Sequence, residues 1–237
     1  QKAGLTVGSR QGLVVDEHYQ TSDPAIYAIG DAILVRQTTT QQPTLISLAS
    51  PANRQGRQVA DVLAGRPRLN RGSLGTAIVR VFDQVAGSTG LNETQLKQAG
   101  YDYQVVHIMG QNHASYYPGA QPLWVKLLFQ PQTGELFGAQ VVGADGVDKR
   151  LDVLATAIKA QLTVDDLPEL ELSYAPPFGA AKDVINLAGY AAQNLMAGDS
   201  QTIQWHELAG KLAAGACLID VRAADEYQQG TIPHALN

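Results

Sequence analysis

Thr21-Ser22-Asp23-Pro24-Ala25-Ile26-Tyr27-Ala28-Ile29-Gly30-Asp31-Ala32 decides how the chain is read. Residues 21–24 are a turn signal. Residues 25–29 form a nearly continuous apolar run, the pattern of a strand buried on both faces of a parallel sheet, and Gly30 stops it. A glycine there lets another group approach the backbone closely. Asp31 follows at the carboxyl end of the expected strand, where ligands bind in open α/β sheets. Its carboxylate can accept a hydrogen bond from a sugar or polyol hydroxyl. An Asp after a strand also serves as a local cap, so spacing alone leaves both roles open.

Working outward, residues 12–16 read as a second short strand. A helix is expected from Ser50-Pro51, with Ser50 as N-cap and Pro51 at the first helical position, running through Val59 and Leu63 to a stop at Gly65. These elements make residues 1–70 one regime of α/β character. In residues 71–198, strands are expected at 76–82 and 103–109, with a hairpin at 123–129 and 136–142. Val147, Leu151, Leu154, Ala155, Ile158 and Leu162 recur at helical spacing, and so do Ala181, Val184, Ile185, Ala188, Ala192 and Leu195. Strands followed by helices covering one face describe an α+β domain. Gly198-Asp199-Ser200 reads as a linker. In residues 199–237 a strand is expected at 203–205, a helix at 206–214, a buried strand at 217–221 and a short helix at 224–229.

Composition removes several classes of function. The 237 residues are 45% hydrophobic, which argues against wholesale disorder. No apolar run approaches the ~20 residues of a membrane helix. With 17 Lys+Arg against 22 Asp+Glu and no basic block, neither nucleic acid nor a membrane surface is an expected partner. One cysteine, Cys217, can neither close an internal disulfide nor supply a cysteine-rich metal site, and no metal site is expected. Placed in an apolar run, Cys217 reads as a buried, inert thiol. The first residue is Gln1 and the last falls inside a strand–helix–turn pattern, so the chain reads as part of a longer polypeptide.

Three further segments carry chemistry. If a helix begins near Pro51, its free N–H groups and positive dipole end, beside Leu48 and Ala49, suit an electron-rich group. An ordinary surface helix begins the same way. Asn112-His113-Ala114-Ser115-Tyr116-Tyr117-Pro118-Gly119 gathers a His and two Tyr, able to donate to a substrate atom or to stack on an adenine, or simply to pack in a polar turn. Ser173-Tyr174-Ala175-Pro176-Pro177-Phe178-Gly179 is stiffened by two prolines that hold Tyr174 and Phe178 in a fixed pose. Lys182 is placed in the first turn of the last long helix, on a flank, free to reach a phosphate or water.

The first stretch resembles the second flavin-binding signature of the pyridine nucleotide-disulfide oxidoreductases. That resemblance implies FAD, with Asp31 on a ribityl hydroxyl, Gly30 and Ala32 beside it, Leu48 and Ala49 at the flavin edge and Asn53 on the substrate side. The Gly-rich phosphate loops and redox cysteine of that family do not occur in residues 1–237, so no catalytic residue is assigned within the chain. Residues 112–119 and 173–186 look like the dimerisation domain of coenzyme A disulfide reductases and their rhodanese-fused relatives, which include persulfide reductases. This implies a homodimer through residues 71–198, in which each subunit completes the other's site. Tyr116 or Tyr117, with Tyr174, would face the partner's flavin and redox cysteine. Lys182 would approach a coenzyme A phosphate, and His113 would sit near the partner's FAD. Asp220, Arg222 and Glu226, followed by Gly230-Thr231-Ile232-Pro233-His234, resemble the opening of a rhodanese-like domain, departing at His234 where glycine is usual.

The implied fold is therefore an α/β flavin-domain tail, an α+β dimerisation domain and the start of an α/β rhodanese-like domain. The implied activity is NAD(P)H- and FAD-dependent reduction of coenzyme A disulfides, persulfides or polysulfides in the cytoplasm. Two alternatives stand beside it: a sister NADH oxidase or peroxidase, and, were the chain complete as given, a non-catalytic dimerisation module.

Overall fold

The computed structural model describes residues 3–237, in two compact units that divide after Met196. In the larger unit, strands β1 (Val35–Arg36) and β2 (Pro43–Thr44) pair antiparallel and precede helix α1 (Ala49–Leu63). The expected doubly buried strand at 25–29 is not formed. Residues 25–29 are half-buried or exposed, Ile26 among the exposed, and only a Gln20–Tyr27 bridge pairs there. The expected strand at 12–16 likewise reduces to bridges from Leu13 to Val7 and to Ile33. A parallel strand needs a hydrogen-bonded neighbour on each edge, and the described residues provide none. A small core of Tyr19, Ile33 and Val35, packed by Ile29 and Val59, holds this region instead.

Helix α1 starts two residues earlier than expected. Leu48 is its N-cap, not Ser50, and contributes no side-chain cap. Pro51 then sits in the first turn but not at the first position. That is tolerated because the first four N–H groups of a helix have no intrahelical acceptor.

The rest of the larger unit is one antiparallel sheet of order β3-β4-β7-β6-β5, made of β3 (Ala77–Val81), β4 (Gln84–Gly90), β5 (Gln104–Gln111), β6 (Pro122–Phe129) and β7 (Leu136–Gly143). Helices α3 (Val147–Lys159) and α5 (Val184–Ala197) cover one face. Val147, Leu151, Leu154 and Ile158 of α3, with Val184, Ile185, Ala188 and Ala192 of α5, pack on Leu123, Val125, Leu127 and Val141 of the sheet. Between the two helices lies the single turn α4 (Asp166–Glu169). A Cβ at Gly189 would come within 2.5 Å of the Pro168 ring, so α5 passes over α4 only because that position carries no side chain.

The other face is covered toward one end of β5, β6 and β7 by α2 (Glu93–Ala99), whose Leu96 is buried against Leu91, Val105, Leu128 and Phe137. Neither α2 nor β4 was expected. The sequence signal for α2 is the capping box Asn92-Glu93-Thr94-Gln95 with Gly100 at its end. The uncovered part carries a cross-strand row, Met109–Trp124–Val142–Ala86–Val79, in register across all five strands and exposed throughout.

In the smaller unit the expected strand at 203–205 is replaced by a 3-10 turn, Trp205–Glu207, leading into α6 (Leu208–Ala213). The expected buried strand at 217–221 survives as one parallel bridge, Ile219–Leu236. Cys217 is exposed rather than buried, and so are Ile219 and Val221, because within this unit no strand lies on either side of them. Helix α7 (Ala224–Gln229) follows, with Glu226 accepting from the Ala223 N–H. Asp220 accepts from the Arg222 guanidinium and from the Thr231 hydroxyl, and these bonds hold its carboxyl far below the usual range.

Glu93, at the start of α2, accepts from the Lys126 ammonium and the Tyr103 hydroxyl, and the Lys126 bond lowers its pKa from 4.5. A depressed carboxyl contributes stability that is complete above its unfolded value and disappears as pH falls through the folded one. Lys126→Met is therefore expected to remove roughly 1 kcal/mol near neutral pH. It should also flatten the acid-side decline, which urea unfolding across pH measures; an unaltered decline would refute the coupling.

Candidate functional site

The site residues fall into two groups. The first is built where the chain turns at Gly30–Ala32, one 3-10 turn beside α1. Gly30 has φ +71°, the left-handed region, and a Cβ there would meet only Ala52 at 3.6 Å. The backbone conformation, rather than lack of space, requires glycine. Its N–H donates to Oε1 of Gln55 at 2.6 Å, and Gln55 is buried within α1, so the turn is keyed to the helix. The sequence placed Gln55 in the helix but carried no sign of this bond. Asp31 follows, exposed, and its carboxylate has no hydrogen-bond or ion-pair partner among the described residues. Ala32 is exposed, Leu48 half-buried and Ala49 exposed at the start of α1. With no side-chain cap, the first N–H groups of α1 stay available to an electron-rich group. Asn53 is exposed and its amide folds back on the Ala49 carbonyl at 2.9 Å.

This arrangement has an exposed acceptor without a protein partner, a backbone without a Cβ and an uncapped helix end within one short stretch. It fits a ligand bearing hydroxyls along a chain and an electron-rich heterocyclic edge.

The second group is built by two loops at one end of the sheet. The first, residues 112–119, leaves β5. Asn112 is buried; its amide donates to Asp145 and its carbonyl oxygen on the side chain accepts from the Gln121 N–H. His113 is buried as well, with Nδ1 3.1 Å from the Ala114 carbonyl and its ring edge-on to Tyr117 at 5.7 Å. The second loop, residues 173–179, meets the first twice. The Ala114 N–H donates to the Pro176 carbonyl at 3.3 Å, and the hydroxyls of Tyr116 and Tyr174 lie 3.1 Å apart. All three tyrosines are exposed. The Tyr174 hydrogen bond pushes the Tyr116 phenol above its usual pKa.

Lys182 is exposed but stands before α5, not in its first turn as expected. Asp183 and Asn186 close the helix start reciprocally: Asp183 accepts from the Ile185 N–H and Asn186 from the Asp183 N–H. Lys182 lies over the Tyr190 ring at 5.3 Å.

Beneath both loops is an ion pair that sequence reasoning did not find. Arg150, buried in α3, donates to Asp183 at 2.6 Å and to the Asn112 carbonyl at 2.7 Å. Its signal was legible: Arg150 falls three residues after Val147 on the apolar stripe of α3, a charged residue on a buried face. No hydrogen bond, ion pair or ring contact joins the Asp31 group to the tyrosine group among the described residues. Nor do those residues hold a cluster of metal-ligating side chains.

Residues 1–56 match the pyridine nucleotide-disulphide oxidoreductase family model, and residues 76–184 match the dimerisation domain of the pyridine nucleotide-disulphide oxidoreductases. The chain belongs to the pyridine nucleotide-disulphide oxidoreductases. Within that family, a coenzyme A disulfide reductase of Staphylococcus epidermidis is 41% identical over 194 residues, 81% of this chain and 44% of the relative. The crystal structure of reduced Bacillus anthracis CoADR-RHD superposes with a TM-score of 0.95 at 52% identity, covering 99% of this chain and 42% of that one. A NAD-dependent persulfide reductase from A. fulgidus gives 0.91 at 36% identity over 99% and 42%. This member of the oxidoreductases thus spans less than half the length of the relatives it matches.

Removing the hydroxyl of Tyr174 removes the bond that raises the Tyr116 phenol. In Tyr174→Phe the Tyr116 pKa is expected to fall back toward the ordinary tyrosine value, read from the NMR titration of ring-labelled tyrosine. A Tyr116 that titrates as in the parent would show that the two hydroxyls do not meet in solution.

Proposed function

We propose that the chain is part of an FAD-dependent NAD(P)H:disulfide oxidoreductase that reduces coenzyme A disulfides or the related persulfides and polysulfides. The observation that carries this reading is the meeting of Tyr116 and Tyr174 across two loops that also present Lys182. A coenzyme A substrate offers these residues an adenine to stack on and phosphates for an ammonium. Relatives named coenzyme A disulfide reductase and persulfide reductase favour it over the oxidase alternative.

In this reading residues 1–70 belong to the flavin-binding domain. Asp31 accepts from a ribityl hydroxyl of FAD, with Gly30 and Ala32 alongside, and the open start of α1 at Leu48 and Ala49 faces the flavin edge. FAD, when bound, would supply two-electron transfer from NAD(P)H to a cysteine pair or mixed disulfide held outside residues 1–237, whose S–S bond breaks to release the thiolate. Thiolate attack on the substrate sulfur is then ordinary exchange chemistry. Residues 71–198 form a homodimer, supported by the dimerisation-domain match and by the exposed apolar row across the sheet. Pairing of two subunits brings the tyrosine group of one to the Asp31 group of the other, which accounts for their lack of contact within one chain. His113 then lies near the partner's FAD, and Asn53 on the substrate side.

Residues 199–237 begin a rhodanese-like domain, in which Asp220, Arg222 and Glu226 are structural. The Asp220–Arg222 pair and the Glu226 cap support that role. Disulfide reduction at the expense of NAD(P)H suits the reducing conditions of the cytoplasm. No helix of the described residues is long and apolar enough to cross a membrane.

The test uses the full-length homodimer. Lys182→Met is expected to raise KM for coenzyme A disulfide by roughly tenfold while bound flavin stays at parent level, since one charged hydrogen-bond donor is lost. Asp31→Ala is expected to lower bound flavin, read from the visible absorbance of the purified protein. A colourless parent protein, or a KM that Lys182→Met leaves untouched, would count against the redox reading and the coenzyme A reading respectively.

A further inference from the structure

We propose that Lys149 is a positioning residue that fixes the second tyrosine loop from the first turn of α3. This rests on the reading of the two loops as the coenzyme A site. The Lys149 ammonium donates to the Ser173 carbonyl at 3.3 Å and to the Phe178 carbonyl at 3.1 Å. One side chain therefore ties both ends of residues 173–178, and Tyr174 is the residue directly after the first tie.

The loop has little else to hold its shape. Pro176 and Pro177 have no N–H to give, and the internal bonds come from Phe178 and Gly179 to the Ala175 carbonyl alone. Tyr174, Pro177 and Phe178 are exposed, so packing adds little. The outside contacts are the Ala114–Pro176 bond, the Tyr116–Tyr174 contact and Lys149. A lysine in the first turn of a helix is disfavoured by the dipole. The two carbonyl acceptors offset that and account for a cation at this place.

The next residue, Arg150, holds the root of the first loop at the Asn112 carbonyl and the end of the second at Asp183. Adjacent positions of α3 thus set the two loops against each other. Arg150 is too deeply buried to test this without unfolding; Lys149 is half-buried and reaches over the surface.

The experiment compares Lys149→Met and Lys149→Arg in the full-length, flavin-loaded homodimer. In Lys149→Met, KM for coenzyme A disulfide is expected to rise about twofold to tenfold, the effect of one or two hydrogen bonds. Turnover at saturation, bound flavin and NADH-driven dye reduction should stay at parent values. Lys149→Arg, which keeps a forked donor for the two carbonyls, should return KM close to the parent. If Lys182→Met raises KM and Lys149→Met does not, the positioning role alone is overturned. If neither raises it, the reading of the loops falls as well. An equal loss of turnover, flavin and thermal midpoint in Lys149→Met, unrepaired by Arg, would make Lys149 a fold-holding residue and overturn the proposal.

Discussion

The buried pair between Arg150 and Asp183 is the constraint on which the arrangement of the dimerisation domain depends. Both side chains are 2% exposed. Two charges withdrawn from water are tolerated only when each is met by other dipoles as well, and here both are. Arg150 also donates to the Asn112 carbonyl, and Asp183 also accepts from the Ile185 N–H at the start of α5. Truncating one partner of such a pair costs about 3–5 kcal/mol, because the other charge is left stranded. The pair therefore fixes α3, α5 and the exit of β5 relative to one another. The exposed tyrosines stand on loops whose roots are pinned at these points.

A contrasting logic governs the Asp31 region. There the polar groups are left open: a carboxylate without a partner, an uncapped helix start, a left-handed glycine. Exposed as they are, these groups are met by water, and together they suit a surface that a ligand completes. The tyrosine loops are internally satisfied and outwardly exposed, while the Asp31 turn is anchored beneath by Gln55 and open to solvent above. The two surfaces are complementary in kind, as the proposed assembly of one site from two subunits requires.

What was legible in the sequence follows from how local each element's causes are. Helices α1, α3 and α5 were legible because their stripes and terminators lie within the element. The hairpin of β6 and β7 was legible from its turn residues. The run at 25–29 and the one at 217–221 both have the composition of central strands, but a central strand is made by its neighbours. Without neighbours among the described residues the same letters give bends and single bridges. Helix α2 was overlooked because a single buried Leu96 makes no stripe; its capping box was the available clue. At the site, the residues with chemical side chains, Tyr116, Tyr174, Asp31 and Lys182, announced themselves by type and clustering. Gln55 and Lys149 did not, because their roles are to donate or accept across distances that no local pattern encodes; Arg150 stood out as a charge on the apolar stripe of α3, but its partners did not.

The placement of Lys149 and Arg150 on consecutive positions of α3 has a consequence for how this domain can vary. Each residue advances a helix by about 100°, so one residue gained or lost between Gly143 and Lys149 would rotate both cations away from their carbonyls together. Length change is therefore barred at the β7–α3 connection, whereas substitution on the solvent side of α3 is free.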